Sequence, residues 1–340
     1  MQLVFNSSLK NKYDILKYFK KLKNFVYTHP LGNIYQSPDF YNNYLNTKNY
    51  EPILVYETIN DEIIGSVLGI IIKQSQGLIG KLSARSLIIG GPLAIDNNEV
   101  IIKKLLNEYE KSLNKKAIYT EVREIYDLPF KNILQENGYN IEKRLNIIID
   151  LTKSEDLLWN EVYSKRKNEI RKAAKKGIVV KEFFDIDNLT SSYDILKEVY
   201  KRVRLPIADF SLFLNINNNL LSKKMIRFFG AFYGSELIGT MYVLCYKDRA
   251  IDWYAGSKQE HYDKNPNDII PWETIKILKN DGYKVFDFGG AGKPGVIYGV
   301  RDYKKKFGGD FIELNRYLKI HKPLLMSIGK IGLNIWQKFK

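Results

Sequence analysis

The sequence contains an internal duplication, and this duplication limits the folds open to the chain. Glu51–Lys73 has the pattern of a β-hairpin, with an apolar run, a polar turn and then Glu-Ile-Ile-Gly-Ser-Val. Met225–Lys247 has the same pattern, and its turn is followed by Glu-Leu-Ile-Gly-Thr-Met. β-Branched and aromatic residues on both sides of a Gly, Asn, Asp or Ser turn are typical of hairpins. A repeat at this long spacing predicts two tandem domains rather than a solenoid, whose repeats are about 20–50 residues long.

The segments that follow each hairpin also correspond. Each copy continues with a third apolar strand, a helix, a strand, a short helix that ends at glycine, and a final strand. The helix, the next strand and the final strand are predicted at 99–113, 117–122 and 146–150 in the first copy, and at 269–279, 285–288 and 313–320 in the second. The sequence therefore predicts an α/β (α+β) protein with domains at 1–152 and 153–322.

Composition excludes several classes of protein. Of the 340 residues, 45% are hydrophobic and 13% aromatic, which excludes a disordered chain. Cys245 is the single cysteine and there are three histidines, so we expect neither a disulfide framework nor a metal centre. The start of the sequence lacks the pattern of a signal peptide, and the apolar stretches are too short to span a membrane. We therefore expect a cytoplasmic protein.

The charge of the chain indicates an anionic partner. Lys and Arg number 53 against 38 Asp and Glu, which gives a formal net charge of +15. A basic helix is predicted at 157–176, linking the two domains, and residues 165–176 contain seven cationic residues and one anionic residue. Such a stripe can neutralise phosphates, so Arg166 and Arg171 are candidate substrate-binding residues. A general overuse of lysine, with a solvated helix face, is the alternative explanation.

A glycine-rich segment, 286–295, directly follows a predicted strand. Glycine permits positive φ and a close approach of the backbone to a ligand. Asp287, Gly289 and Gly290 are therefore candidate substrate-binding residues, although the spacing does not fit a Walker loop. Glu273 and Asp287 could take up a proton from an amine, but a helix-surface acid and a strand-end hydrogen-bond acceptor are their ordinary roles.

Taken in order, short motifs along the chain resemble those of the FemABX family of tRNA-dependent peptidyltransferases and of the wider group of FemAB-like GNAT proteins. No single motif is diagnostic, but the ordered set spans nearly the whole chain. The motifs are Tyr35–Phe40, Trp159 with Arg166 and Ile170–Ala173, Tyr200–Arg202, Trp253–Ser257, Asn265–Pro266 with Trp272, Phe286–Gly290, and Tyr303–Gly309.

The resemblance implies tandem GNAT-like N-acyltransferase domains without a coiled-coil arm, since 178–224 is too short and too polar for one. It implies transfer from aminoacyl-tRNA to an amine of a nucleotide- or lipid-linked cell-wall or surface-glycan precursor, with no cofactor. Lys304 and Tyr254 would then be catalytic, with Lys304 an exposed cleft lysine that stabilises negative charge on the reacting ester. Arg202 and Gln36 would contact substrate.

Two departures from the family pattern leave other functions open. The family often has a lysine a few residues after its Gln-Ser element, whereas the next lysine here is Lys48. GNAT enzymes that use acyl-CoA bind its pyrophosphate with a Q/R-x-x-G-x-G/A turn, and Gln74–Gly80 misses that spacing by one residue. One alternative is an acyltransferase that uses acyl-CoA or acyl-carrier protein on an amino sugar. The other is a non-catalytic basic adaptor that binds RNA or membrane.

The end of the sequence, 323–340, predicts an amphipathic helix. Its apolar residues share one face of a helix, and four lysines lie in 322–340. The apolar residues are Leu324, Ile328, Ile331, Ile335 and Phe339. Such a helix can lie on the inner face of an anionic membrane, which would make the protein peripheral there. Covering the core of its own domain is the alternative role.

Overall fold

The computed structural model describes residues 2–5, 12–73 and 83–327, and the chain divides into two compact units. Unit 1 consists of Met1–Lys143 with Leu314–Lys340, and unit 2 of Arg144–Glu313. The domains predicted from sequence differ from these units at both boundaries. None of the described helices is long and apolar enough to cross a lipid bilayer.

The secondary structure follows the predicted order of elements. The strands are β1 (Gln2–Phe5), β2 (Tyr50–Ile59), β3 (Glu62–Ile72), β4 (Arg85–Ile89), β5 (Leu93–Ala94), β6 (Tyr119–Arg123), β7 (Asn140–Glu142), β8 (Leu145–Asp150), β9 (Ile178–Glu182), β10 (Ile226–Tyr233), β11 (Glu236–Tyr246), β12 (Arg249–Ser257), β13 (Val285–Gly290), β14 (Asp310–Glu313) and β15 (Arg316–Ile320). The helices are α1 (Lys12–Thr28), α2 (Pro38–Leu45), α3 (Glu99–Ser112), α4 (Lys131–Glu136), α5 (Glu155–Glu161), α6 (Ser164–Lys175), α7 (Ile186–Arg202), α8 (Phe210–Leu220), α9 (Pro266–Asn280) and α10 (Gly299–Lys305).

Each unit is built on one mixed sheet. In unit 1 the strand order is β1-β2-β3-β4-β6-β15-β7, with β5 paired to β3, and in unit 2 it is β14-β8-β13-β12-β11-β10-β9. Helix α3 covers the sheet of unit 1 because its apolar residues recur at helical spacing and are buried. In unit 2, Met241 and Val243 of β11 belong to the core shared with α9, whereas Tyr242 bonds Ser192 of α7. Alternate residues of a strand face opposite sides, so these two helices cover opposite faces.

The duplicated hairpins are confirmed, and the structure explains why each carries a glycine. Gly65 of β3 lies under α3, where an added Cβ would come 2.6 Å from the Ile101 side chain. Gly239 of β11 lies under α9, where an added Cβ would come 2.7 Å from the Ile270 side chain. The repeated glycine therefore lets a helix pack directly onto the hairpin in each unit.

The final strand of each predicted domain is exchanged between the units, and their predicted assignment is wrong. Strand β8 was predicted to complete the first domain, but it pairs with β13 and β14 in the sheet of unit 2. Strand β15 pairs with β6 and β7 in the sheet of unit 1. Alternating apolar strands fit either sheet equally well, so their partners depend on where the chain carries them.

The predicted basic helix at 157–176 consists of two helices, α5 and α6, which both belong to unit 2. Tyr163 lies between them, and its backbone N–H donates to the Lys306 carbonyl oxygen at 3.0 Å. Between β9 and β10 the fully described chain forms only α7 and α8, so this segment holds no coiled-coil arm. The predicted terminal helix begins with a turn at 323–327, where Leu324 is exposed. Its remainder, 328–340, and the Gln74–Gly80 segment lie outside the described residues.

Candidate active site

The sheet of unit 2 opens between β12 and β13, and this opening forms the candidate site. These parallel strands pair only from Arg249 with Val285 to Ile251 with Asp287, and then diverge. A register shift of β12 against β11 adds one residue, Trp253, at this point, and such bulges increase the local twist of a strand. We call the opening between the diverging strand ends the cleft. In α/β sheets, ligands bind beyond the carboxyl ends of parallel strands.

Lys304 of α10 spans the cleft. Its ammonium donates a hydrogen bond to the Phe288 carbonyl oxygen on β13 and lies 3.7 Å from Asp252 Oδ2 on β12. The Lys304 side chain is only 14% exposed and that of Asp252 8%, so the expectation of an exposed lysine is wrong. A cation held between two strand ends and shielded from water can stabilise an oxyanion strongly.

Asp252 is a site residue that the sequence interpretation missed. Burial raises the pKa of its carboxyl group, the nearby Lys304 ammonium opposes that rise, and the Asp287 carboxylate adds to it. A carboxylate with a raised pKa is a better proton acceptor for an amine. The available signal was an acid inside the strand Arg249–Ser257, where the other residues of 250–256 are apolar or aromatic.

Aromatic side chains line the cleft beside Asp252. The Tyr254 ring centroid lies 5.6 Å from that of Tyr200 and 5.0 Å from that of Phe213. Because of the register shift, Trp253 also contacts Phe213, at 5.6 Å between centroids. Burial, reinforced by the Asp252 charge, raises the pKa of Tyr200 to about 12. Its hydroxyl therefore stays protonated at neutral pH and can donate a hydrogen bond to a ligand oxygen.

The glycine-rich end of β13 forms the other wall of the cleft. Asp287 accepts hydrogen bonds from the Gly289 backbone N–H at 2.7 Å and from Asn146 Nδ2 at 3.2 Å. The Asp287 carboxylate therefore holds the end of β13 in place as a hydrogen-bond acceptor, the structural role expected from the sequence for a strand-end acid. Gly289 has φ of +69°, and an added Cβ at Gly290 would meet nothing within 4 Å. The backbone of Gly290 is thus open to an approaching ligand.

Arg166 occupies a different place from the predicted cationic stripe. Its guanidinium forms an ion pair with Asp268 in the first turn of α9, and it lies 4.9 Å from the centroid of Tyr303 and 5.1 Å from that of Phe307. Burial lowers the pKa of Arg166. This side chain joins α6 to α9 and to the helix that carries Lys304, so the predicted contact with a substrate phosphate is not supported.

The other predicted arginines lie on exposed surface. Arg171 stacks on the Trp159 ring at 5.3 Å from its centroid, in an exposed part of α6. Exposed cations of the same helix surround it, and we call this set the α6 surface: Lys165, Arg171, Lys172 and Lys175. Arg202 donates to the Tyr262 hydroxyl and to Gln259 Oε1. The basic character of α6 is therefore accessible even though Arg166 is not.

Gln36 lies in unit 1, and its amide is fully engaged by the sheet there. Nε2 donates to the carbonyl oxygens of Leu68 and Ile89 at 2.9 and 2.7 Å, and Oε1 accepts from the Leu68 N–H at 2.8 Å. The side chain is buried. The predicted role of Gln36 in substrate binding is therefore replaced by a structural one, because the side chain is buried and both amide hydrogens are used within the sheet.

One group of side chains in the described residues has ligand types that a metal could use. Glu236, Glu260 and His261 bring their ligand atoms within 4.8 Å of one another. The Lys258 ammonium lies 2.5 Å from Glu236 Oε1 and already supplies the positive charge there. The group is distinct from the cleft.

Comparison with known proteins agrees with the geometry. The acetyltransferase (GNAT) domain family matches residues 164–305, which include the cleft and Lys304. Comparison with curated protein sequences gives no match.

Several solved structures share the fold over most of their length. FemX has a TM-score of 0.69 at 15% identity, with 91% of this chain and 98% of that chain covered. The C-terminal domain of a putative lysylphosphatidylglycerol synthetase from Agrobacterium fabrum has a TM-score of 0.59 at 12% identity, with 94% and 96% covered. A tandem GNAT protein from the clavulanic acid biosynthesis pathway has a TM-score of 0.59 at 9% identity, with 94% and 98% covered. At identities this low, the structural likeness establishes the fold alone.

These findings confirm the predicted fold class and the predicted class of enzyme. The chain has tandem GNAT-like domains, and the likeness to FemX agrees with the resemblance to FemAB-like proteins carried by the ordered motifs. The match of residues 164–305 to the acetyltransferase (GNAT) domain family supports an N-acyltransferase. The non-catalytic adaptor is accordingly the less favoured alternative.

Proposed function

We propose that this GNAT-fold acyltransferase moves an aminoacyl group from aminoacyl-tRNA to an amine of a cell-wall or surface-glycan precursor. The observation that carries the proposal is the placement of Lys304 and Asp252 across the mouth of the cleft, 3.7 Å apart. This pair supplies a cation and a proton acceptor at one point. Both are needed when an amine attacks an ester.

In the proposed reaction the acceptor nitrogen forms a bond to the ester carbonyl carbon, and the bond to the tRNA hydroxyl oxygen breaks. Negative charge develops on the carbonyl oxygen, where the Lys304 ammonium can stabilise it by about 3–4 kcal/mol. Asp252 takes the proton that the amine loses, and this proton can pass to the departing hydroxyl oxygen. The step needs no enzyme nucleophile, because positioning supplies much of the rate enhancement.

Two observations favour a tRNA donor over acyl-CoA. The α6 surface presents four exposed cations on one helix of unit 2, which suits a run of backbone phosphates. The turn before α9, where GNAT enzymes bind pyrophosphate, instead carries Glu260 and Asp263 and has no glycine between 258 and 265. The first turn of α9 begins with Pro266 and holds Asp268. Because the turn has no glycine and Pro266 lacks an N–H, few backbone N–H groups can approach a pyrophosphate there. The charges of Glu260 and Asp263 are balanced by Lys258 and Lys264.

The acceptor is proposed from the shape of the cleft and from the fold. The rings of Tyr200, Trp253 and Tyr254 form one wall next to Asp252, and aromatic faces attract the ammonium form of an amine before it loses its proton. Among the neighbours, the synthetase from Agrobacterium fabrum is named for a lipid that carries a lysyl group. Aminoacyl transfer onto a surface component is therefore compatible with this fold.

The test is a transfer assay with purified full-length protein. Radiolabelled aminoacyl-tRNA pools and acyl-CoA pools are supplied separately to extracted nucleotide-linked and lipid-linked precursors. We expect label from aminoacyl-tRNA to appear on an amine-bearing precursor. Label that moves only from acyl-CoA would support the alternative, an acyltransferase acting on an amino sugar. Movement of neither label would contradict the proposal.

A substitution at the proton acceptor controls for contaminating activity. Asp252→Asn keeps the shape of the side chain and should lower turnover at least about a hundredfold. Asp248→Asn is the matched control, because Asp248 lies in the exposed turn between β11 and β12. Its turnover should stay within threefold of the natural chain. Equal effects of the two substitutions would show that Asp252 does not take part in the reaction.

A further inference from the structure

The loop that connects β13 to α10 carries apolar side chains on its outside. Residues 293–300 are all exposed. At the tip Ile297 is 94% exposed and Val296 53%, and Val300 at the end of the loop is 43% exposed. Single exposed apolar residues are ordinary on protein surfaces, but a cluster marks a site of interaction. We call residues 292–300, which include the first two residues of α10, the apolar loop.

The inside of the apolar loop is polar and well packed. The Arg301 guanidinium donates to the Lys293 carbonyl oxygen at 2.9 Å and also to the Val296 carbonyl oxygen. Tyr298 packs against Gly292, where φ is +79° and an added Cβ would come 2.8 Å from the ring. The loop is therefore folded on itself, with a cation within and apolar groups outside. Solvated loops have the opposite arrangement.

This arrangement meets the requirements of a lipid environment. Backbone carbonyl groups that enter a bilayer without a hydrogen-bond partner carry a large free-energy cost, and Arg301 supplies partners for two of them at this loop. Lys293 adds a cation within the loop, and Lys306 directly follows α10, whereas the Lys305 ammonium donates to the Gly309 carbonyl oxygen. Basic residues beside an apolar tip favour the surface of an anionic bilayer, where they reach the headgroups.

We propose that the apolar loop docks unit 2 onto an anionic lipid bilayer, with Val296 and Ile297 inserted below the headgroups. The loop begins at the strand that forms one wall of the cleft and leads into the helix that carries Lys304. Docking therefore places the cleft at the lipid surface, where an acceptor amine carried by a lipid can enter it. That last consequence rests on the proposed function, whereas the docking itself does not.

The proposal is tested by sedimentation of the full chain with vesicles, without any donor or acceptor. Vesicles of phosphatidylglycerol and phosphatidylcholine are compared with vesicles of phosphatidylcholine alone. We expect the natural chain to bind the anionic vesicles and Ile297→Asp to bind them at least about tenfold more weakly, because the substitution puts a charge on the side chain that inserts into the bilayer. Val100→Asp is the matched control, since Val100 is 78% exposed on α3 of unit 1. It should bind like the natural chain.

Melting temperature serves as the folding control, and Ile297→Asp should not change it because the side chain is almost fully exposed. Absence of sedimentation by the natural chain would overturn the proposal, as would equal binding by Ile297→Asp. A raised KM for a soluble acceptor in Ile297→Asp, with no sedimentation of either protein, would also overturn it and assign the loop to substrate contact. Vesicle binding together with a failed transfer assay would leave the docking intact and refute the proposed function.

Discussion

The two units contain the same pair of parallel strands, but only one pair is open. In unit 1, β4 and β6 stay paired from Ser86 with Thr120 to Ile89 with Arg123. The Gly90 N–H then extends the ladder to the Arg123 carbonyl oxygen at 2.8 Å. In unit 2, β12 and β13 separate after Ile251 and Asp287. A duplicated fold thus has one closed and one open copy of the same strand junction.

The side chains near these strands also differ between the units. In unit 1 the Gln36 amide donates to and accepts from the backbone of β3 and β4, on the side of β4 away from β6, and so ties these two strands together. In unit 2 the Lys304 ammonium donates to one strand and pairs with the Asp252 carboxylate on the other. The neutral Gln36 amide satisfies backbone groups within its sheet, whereas the Lys304 ammonium brings charge to the gap between β12 and β13. The proposed reaction accordingly takes place in unit 2, where the charged pair lies at the open junction.

The largest expected effect concerns the buried ion pair of unit 2. Asp268→Asn leaves Arg166 without its counter-charge at a position only 13% exposed, so unfolding free energy should fall by about 3–5 kcal/mol. Urea unfolding measures the loss, and amide exchange should increase in α6 and α9 but not in α3. Glu273→Gln on the same helix breaks a more exposed pair with Lys276 and should cost under about 1 kcal/mol. Equal losses of unfolding free energy in the two variants would show that the Arg166–Asp268 pair stabilises the fold no more than an exposed ion pair does.

The second prediction concerns the cation in the cleft. Lys304→Met keeps the length of the side chain and removes the charge, so turnover should fall at least about a hundredfold. Lys306→Met removes the same charge two residues later, and turnover there should change less than threefold. A loss under threefold in Lys304→Met, at unchanged melting temperature, would remove the cleft lysine from the mechanism.

The third prediction concerns the Gln36 amide, which ties β3 to β4 in unit 1. Gln36→Ala removes the hydrogen-bond partner of the Leu68 N–H and of the Leu68 and Ile89 carbonyl oxygens. We therefore expect a loss of about 2 kcal/mol in unfolding free energy. For a unit of this size that corresponds to roughly 4–8 °C in melting temperature. Turnover well below the melting point should stay within twofold. A specific rise in KM with unchanged stability would instead restore Gln36 as a substrate ligand.

The fourth prediction is a pH dependence that only the open junction should show. Activity requires ionised Asp252, and burial raises the pKa of this group. The rate should therefore fall with decreasing pH at values above the usual aspartate range of about 4, as measured by kcat/KM. In Lys304→Met this acid limb should move to still higher pH, because the cation that opposes the rise is gone. An acid limb in the ordinary range would contradict the assignment.

The same shift has a consequence for stability. Because the pKa of Asp252 is higher in the folded than in the unfolded state, its contribution is fully present below the unfolded value and is lost as pH rises through the folded value. Asp252→Asn should remove this part of the pH dependence of unfolding.

The smallest expected effect concerns the α6 surface. If its four cations neutralise about four phosphates of single-stranded RNA, log K against log of salt concentration should have a slope near −3. Replacing Arg171 and Lys175 with Gln should flatten this slope by about half. Replacing Lys103 and Lys111 of α3 in unit 1 with Gln removes the same amount of charge and should leave the slope unaltered. Equal slopes in all three proteins would show that the cations of the α6 surface are solvated and do not bind RNA.

Several features were predictable because they depend on short stretches of sequence. The hairpins, the helices that follow them and the duplication itself could be read from alternating and helical apolar patterns. Lys304 and Tyr254 were found through ordered motifs, and the structure places both at the cleft. Asp252 was missed because an acid among apolar strand residues indicates burial only weakly, and its partner Lys304 is distant in sequence. Arg166 was misassigned because its neighbours in sequence are exposed cations, whereas its partners Asp268 and Tyr303 are distant in sequence.

By itself the sequence determined the tandem α/β arrangement and the class of fold, since both follow from the period and order of local elements. Only the tertiary structure decided that β8 and β15 exchange sheets, because strands of equal pattern can satisfy either edge. Only the tertiary structure decided that β12 and β13 diverge and that Asp252 is desolvated beside Lys304. Strand pairing and the desolvation of a carboxylate are set by contacts between residues far apart in the chain, and no local pattern encodes them.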